Sequence, residues 1–162
     1  MDHMEAVIES LSDYERERGK PAPSWLHACA QTNLLVALMA YDRKTYSILP
    51  ELDIVLPDQS RIVPDIAVYP KRTVDFERDS EEMTELPRIA IEISSANQAL
   101  SKLTTRVNRY LAAGVPSCWL VLPELKAILI YTAPGTYQFF SSGSILSDPV
   151  TGFELPVDEI FK

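Results

Sequence analysis

The segment Arg88-Ile89-Ala90-Ile91-Glu92-Ile93-Ser94 alternates without a break, with Ile89, Ile91 and Ile93 on one side and Arg88, Ala90, Glu92 and Ser94 on the other. A period of two marks a strand. The period then changes: between Gln98 and Ala113, Leu103, Val107 and Tyr110 recur at spacings of four and three, and Gly114 and Pro116 end the run. That is how a helix stops. Ser117 to Leu122 returns to strand character. Strand, helix and strand in this order can close as a right-handed crossover between parallel strands. Residues 88–122 therefore predict an α/β fold, a mixed β-sheet flanked by helices.

The rest of the chain extends this unit in both directions. Toward the N-terminus, Ile62 to Tyr69 and Tyr46 to Leu56 read as a hairpin around the turn Pro57-Asp58-Gln59-Ser60,. Pro70 to Leu86 is charged and unpatterned, an exposed loop. Met4 to Arg18 reads as a first helix, with Val7, Leu11 and Tyr14 on one side, ended by Gly19, Pro21 and Pro23,. Ser24 is the expected N-cap of a second helix running to about Tyr41. Leu26, Leu34, Leu35, Leu38 and Met39 make that helix apolar on most sides, so it is expected in the core. Toward the C-terminus, Ala127 to Thr132 pairs with 117–122 across Pro123-Glu124-Leu125-Lys126, and Tyr137 to Phe140 adds a strand. The tail from Ser141, with Gly143, Pro149, Gly152 and Pro156, is expected to be mostly turns. A single domain over 1–162 follows, with residues 1–23 as an N-terminal helix and linker packed upon it.

Composition narrows the class. Hydrophobic residues make up 46% and charged residues 23% of 162, an ordinary globular balance,. The longest apolar run, Leu34 to Tyr41, is too short to cross a bilayer,. No basic, apolar leader opens the chain, so a cytoplasmic protein without membrane partners is expected. Two cysteines, Cys29 and Cys118, lie in apolar surroundings and suit buried reduced thiols better than a disulfide or a zinc site,. A net charge of −8 argues against an indiscriminate nucleic-acid binder,. Yet residues 93–123 hold no acid, and Lys102, Arg106 and Arg109 all fall there, so any DNA contact is expected in one positive groove,.

Two carboxylates stand out, Asp65 and Glu92, each in a strand made mostly of Ile, Val and Ala, where an unpaired charge is costly,. Their same-face neighbours are mostly small. If the strands are adjacent, both could meet one hard cation such as Mg²⁺. Such an ion lowers the pKa of bound water and neutralises phosphodiester charge. The plain alternative is that each acid sits at a solvated strand end or pairs with an arginine. Lys102, Arg106 and Arg109 share a helix face and could stabilise transition-state charge, or form a solvated face favoured by the helix dipole. His27 and Gln31 share a face of the second helix, with Asn33 nearby, and a hydrogen-bonded core histidine is the default. Trp25, Trp119 and the tyrosines fit core or strand-edge positions better than a base-stacking platform. Five glycines leave little material for phosphate-cradling loops, and no serine-nucleophile elbow is present,.

Four segments taken together carry a resemblance: Arg18-Gly19-Lys20-Pro21, the run from Arg61 through Pro64-Asp65 to Pro70, Ile89 to Ser94, and Tyr110 to Val115 followed by Cys118 to Val121. In that order and spacing they resemble the Uma-type restriction endonuclease family of the PD-(D/E)XK nuclease superfamily, over nearly the whole chain. The resemblance implies a restriction-endonuclease-like core and a site that hydrolyses phosphodiesters with a divalent metal, Mg²⁺ or Mn²⁺. Pro64-Asp65 matches the first half of the signature and Glu92 the second, making Asp65 and Glu92 the implied metal ligands. Glu51 and His27 match further family positions. The superfamily's lysine, two residues after the glutamate, falls at Ser94. In the family it lies on the following helix, at the position of Arg106, and Lys102 stands where an aspartate is usual. Ser95-Ala96 replaces a proline. Arginine stays protonated, so Arg106 can stabilise charge but cannot act as a general base.

The expected activity is thus a Mg²⁺-dependent DNA endonuclease, with Asp65 and Glu92 as ligands, Glu51 assisting and Arg106 or Lys102 stabilising the transition state. A homodimer would serve to cut both strands. Two rivals stand beside it. One is a degenerate member serving as a nucleic-acid-binding or protein-interaction module. The other is an unrelated α/β domain, in which Asp65 and Glu92 would lie far apart.

Overall fold

The computed structural model describes residues 12–79 and 82–162, and within them a six-stranded sheet carries the fold. Strands β1 (Tyr46–Pro50), β4 (Ile66–Pro70), β5 (Ile89–Ile93), β6 (Ser117–Leu122), β7 (Ala127–Ala133) and β8 (Thr136–Ser141) lie side by side in that order. The parallel pair is β5 and β6, joined through helix α3 (Leu100–Ala113), and every other neighbour is antiparallel. The expected strand–helix–strand unit is present. Helix α3 begins two residues later than the sequence pattern suggests, because Asn97 has φ 63° and Ala99 is extended. Gly114, in the left-handed region at φ 107°, closes it and donates its N–H to Leu111 O and Tyr110 O,.

Alternation in β5 sorts the two sides of the sheet, and both sides are covered. Ile89, Ile91 and Ile93 face helix α2 (Trp25–Asp42) through Ala30, Leu34 and Leu38, together with Trp119, Val121, Ile128 and Ile130. Ala90 faces the opposite way, with Cys118 and Leu120, against Leu103, Val107 and Tyr110 of α3. Each large apolar side chain so buried contributes about 1.5–3 kcal/mol. Glu92 lies on the α3 side, which brings it to that helix's polar residues.

The structure departs from the sequence pattern in four places. The hairpin is broken into an outer pair, β2 (Ile54–Val55) with β3 (Arg61–Ile62), and an inner pair, β1 with β4. Residues 51–53 and 63–65 fall in the break. Helix α2 is buried along one stripe only: Trp25 is 82% exposed, and Leu26, Val36 and Met39 also face outward. Trp25 is the first residue after the Ser24 cap, at the helix's outer end, which is why it misses the core while Trp119 fills it. The tail is more than turns. Strands β9 (Ile145–Ser147) and β10 (Glu154–Pro156) pair, and Leu146, Phe153, Leu155, Val157 and Ile160 seal the α2 side of the sheet. Finally, the first helix is described as α1 (Asp13–Arg18), with a Ser12–Glu15 capping box; the expected residues 4–11 lie outside the described residues,.

Asp148 anchors the tail. It is 1% exposed and accepts from Ser117 Oγ, Trp119 Nε1 (3.0 Å), Thr151 N (2.8 Å) and Thr151 Oγ1 (2.7 Å). Replacing it strands several buried donors at once. An Asp148→Ala variant is expected to lose on the order of 3 kcal/mol of stability, read as a lower urea midpoint. An unchanged midpoint would show that the tail is held without this carboxylate.

Candidate active site

The break in the hairpin builds the site. At its edge, Glu51 adopts φ 53°, a left-handed conformation uncommon outside glycine, and donates its N–H to Asp65 O at 3.3 Å,. Asp65 stands just before β4, and that strand's neighbour is β5. Asp65 Oδ2 consequently accepts the backbone N–H of Ile93 at 2.6 Å, one residue past Glu92. Asp65, at the end of the break, and Glu92, in β5, thus come side by side, and they are 1% and 2% exposed. They do not lie far apart, as the unrelated-domain reading required.

Three separate segments supply their side-chain partners. The Lys20 ammonium, from the linker after α1, reaches Asp65 Oδ1 at 2.7 Å and the Val63 carbonyl at 3.1 Å. His27 of α2 places Nε2 at 3.1 Å from Asp65 Oδ2, and Gln31, one turn on, donates to Asp65 O at 2.8 Å. Arg106 of α3 donates to Glu92 Oε1 at 2.8 Å and to the same Val63 carbonyl at 2.9 Å. Tyr110, one turn further, donates to Glu92 Oε1 at 2.6 Å. Val63, inside the break, cannot spend its carbonyl on a ladder, and it thereby joins the two cations. Glu51 sits at the margin, with Oε2 at 3.5 Å from Lys20 Nζ and 3.9 Å from Arg18.

The electrostatics follow from burial opposed by these partners. Burial pushes the Asp65 carboxyl up, but the His27 hydrogen bond and the Lys20 charge outweigh it and hold the group below the ordinary carboxylate value,. Burial and the charge of Asp65 push Glu92 up, against the pull of Arg106. Burial alone would lower Lys20, yet the charges of Asp65 and Glu92 raise it. Tyr110 is pushed well up by burial and by Glu92, and so remains a donor.

Beside these carboxylates opens a cleft of about 630 Å³, bordered by Lys20, Lys102, Arg106 and Arg109, with Glu15 its one acid; Asp65 and Glu92 do not line it and meet it through Lys20 and Arg106. The three cations of α3 play different parts. Arg106 is buried against Glu92, Arg109 touches Ser60 Oγ and Arg61 O on the hairpin, and Lys102 is exposed at the cleft. Lys102 makes no contact with either carboxylate. Ser94 is half-buried, its hydroxyl turned to Ser95 O. Lys20, Tyr110 and the Val63 carbonyl carry no periodic signal that marks them as site groups. Tyr110 reads as core, and Lys20 stands only in the segment Arg18-Gly19-Lys20-Pro21.

The donors suit a hard cation in kind: Asp65, Glu51 and Glu92 carboxylates and a peptide carbonyl, without thiol. Glu51 Oε2 is buried and accepts no hydrogen bond, its neighbours being the Lys20 and Arg18 charges. Among the described residues, however, no three acidic, histidine or cysteine side chains are already gathered to hold a metal. Lys20 stands among the oxygens instead.

A sheet of this order, with one buried acid at the break of a hairpin, a second on the next strand and an arginine of the crossover helix paired with it, defines a restriction-endonuclease-like protein. The chain belongs to the Uma2 family, whose model, described as "Putative restriction endonuclease", matches residues 4–158. Its fold is similar to the "Crystal structure of a putative nuclease belonging to DUF820 from Anabaena variabilis ATCC 29413", with a TM-score of 0.73 and 20% identity over 88% of this chain and 83% of that one. A cryo-EM DrdV–DNA complex shares a much fainter likeness, with a TM-score of 0.41 and 12% identity over 67% of this chain and 9% of that one. No curated protein matches the sequence.

Glu92 tests the balance of the site. In Glu92→Gln, Arg106 keeps its burial and loses its charged partner, at a cost of about 3 kcal/mol or more. Tyr110→Phe removes one hydrogen bond, at a cost of about 1 kcal/mol. Chemical denaturation of both variants should rank them in that order; equal midpoints would mean that Arg106 is not held by Glu92.

Proposed function

We propose that the protein is a DNA endonuclease that hydrolyses phosphodiester bonds in the cationic cleft. The observation that carries this reading is the pair of buried carboxylates, Asp65 just before β4 and Glu92 in the neighbouring β5, ion-paired with Lys20 and Arg106, two of the four cations that line the cleft. Buried acids with nothing but apolar neighbours would be a liability; paired with cations that line a positive groove they are suited to chemistry on an anion. Asp65 and Glu92, with Glu51 assisting, would hold Mg²⁺ or Mn²⁺, which supplies an activated water and charge neutralisation when bound. Arg106 is fixed by Glu92 and the Val63 carbonyl, so its guanidinium is oriented in advance toward charge developing on a phosphoryl group,. Lys102 and Arg109, at the rim, would hold backbone phosphates and position the duplex. Cutting both strands calls for two such sites, which goes with a homodimer, and the two free cysteines suit a cytoplasmic setting,.

A second reading has its own observation. Glu92 Oε1 already accepts from both Arg106 and Tyr110. A site closed in that way suits a degenerate member that binds nucleic acid without cutting it, or that serves in protein interactions.

Plasmid nicking separates the two. Native protein with Mg²⁺ or Mn²⁺ is expected to relax supercoiled DNA, and Asp65→Ala and Glu92→Ala to abolish relaxation. Activity gained only in Arg106→Lys would favour degeneracy in the native chain. Lys102→Ala should weaken DNA binding across sequences and reduce the salt dependence by about one phosphate contact. An unchanged salt slope would remove Lys102 from the interface.

A further inference from the structure

Three oxygens surround the Lys20 ammonium: Asp65 Oδ1 at 2.7 Å, the Val63 carbonyl at 3.1 Å and Glu51 Oε2 at 3.5 Å. Two carboxylates and a peptide carbonyl are the donors a hard divalent cation takes. Lys20 is 8% exposed, a rare state for a lysine unless it is paired,. Its position in the chain differs from that of Arg106. Arg106 belongs to a fourteen-residue helix and is tied to Glu92. Lys20 belongs to no helix or strand and lies between Gly19, at φ 66°, and Pro21.

We infer that Lys20 is the mobile cation of this active centre: its ammonium fills the oxygen shell of Asp65, Val63 and Glu51 in the metal-free protein, and an entering divalent cation displaces it into the cleft, toward a substrate phosphate. This rests on the nuclease reading above and names a residue that reading leaves without a role. A divalent cation and the Lys20 ammonium cannot occupy the same position among these oxygens, because their repulsion at this range in a poorly screened site is severe. The displaced ammonium has a nearby place to go, since Gly19, Lys20 and Pro21 themselves border the cleft. A lysine on a flexible four-carbon stem can make that move without carrying a helix along. It would then deliver positive charge where Ser94 delivers none.

Calorimetric titration of Mn²⁺ into native protein, Lys20→Met and Asp65→Ala tests the competition. Lys20→Met is expected to bind Mn²⁺ about tenfold or more tighter than native, because the competing charge is gone, and Asp65→Ala to lose binding. Mn²⁺ should also raise the melting temperature of Lys20→Met by more than it raises that of native protein. A measurement on native protein covers a variant that fails to fold. An amine-acylating reagent followed by peptide mass spectrometry should modify Lys20 several-fold faster when Mn²⁺ is saturating. Equal or weaker affinity in Lys20→Met, Lys20 labelling indifferent to Mn²⁺, or no Mn²⁺ binding to either protein overturns the inference. Failure of the nuclease reading looks different: Mn²⁺ binds and Lys20 is released, but the loaded native protein leaves DNA uncut.

Discussion

Asp65 and Glu92 are charged groups almost without access to water, and the rest of the molecule is arranged around neutralising them. Each carboxylate removed from water alone would cost several kcal/mol. Asp65 is met by Lys20, His27 and the Ile93 amide, and Glu92 by Arg106 and Tyr110. These partners come from the linker, α2, β5 and α3, so the site forms only when the linker and both helices are docked on the sheet. The same contacts that make the acids tolerable tie distant parts of the chain together. Val63 is the shared point, with one carbonyl accepting from both Lys20 and Arg106.

That carbonyl is free because the sheet is interrupted. A continuous hairpin from Tyr46 to Tyr69 would have spent the backbone groups of residues 51–53 and 63–65 on cross-strand pairing. The register instead ends at Pro50 opposite Ile66 and resumes with Ile54 opposite Ile62. Between them, Glu51 takes up a strained left-handed conformation, and Asp65 turns its side chain toward β5. Regular structure is given up over a few residues, where irregular backbone can face polar groups. Strain concentrated at such a place is characteristic of sites that act on a ligand.

Much of the frame is legible in sequence because it rests on local periodicity. The isoleucines of β5, the Leu103–Val107–Tyr110 stripe and the Gly114 stop follow from the pleat and the helical turn, and the parallel β5–β6 pair follows from their order. The break in the hairpin is not legible in this way, since Glu51, Leu52 and Asp53 are tolerated in a strand and only the tertiary demand of the site excludes them. The tail misleads for a related reason. Its glycines and prolines do mark turns, but Phe153, Leu155, Val157 and Ile160 are spaced too irregularly to reveal the face they cover. Helix α2 errs the other way: its composition suggests burial on most sides, and packing covers a single stripe. The carboxylates stand out as acids among β-branched residues. Lys20 does not, because a lone lysine in a linker has no period and its burial depends on a sheet end far away in sequence.

The position of Ser94 takes on a different meaning in this setting. A lysine two residues after Glu92 would be carried by the strand itself, so its charge would be present whenever the sheet is folded. Here positive charge arrives from outside the strand. Arg106 brings a permanent charge on a packed helix, held by two hydrogen bonds, and acts as a fixed part of the site. Lys20 brings its charge on a linker that follows α1 and the left-handed turn at Gly19, held by its own contacts with Asp65 and the Val63 carbonyl. The site is therefore complete only when the N-terminal segment is in place. A protein built this way makes the electrostatics of its carboxylates depend on a linker residue from outside the sheet, a dependence that a lysine at position 94 would have removed.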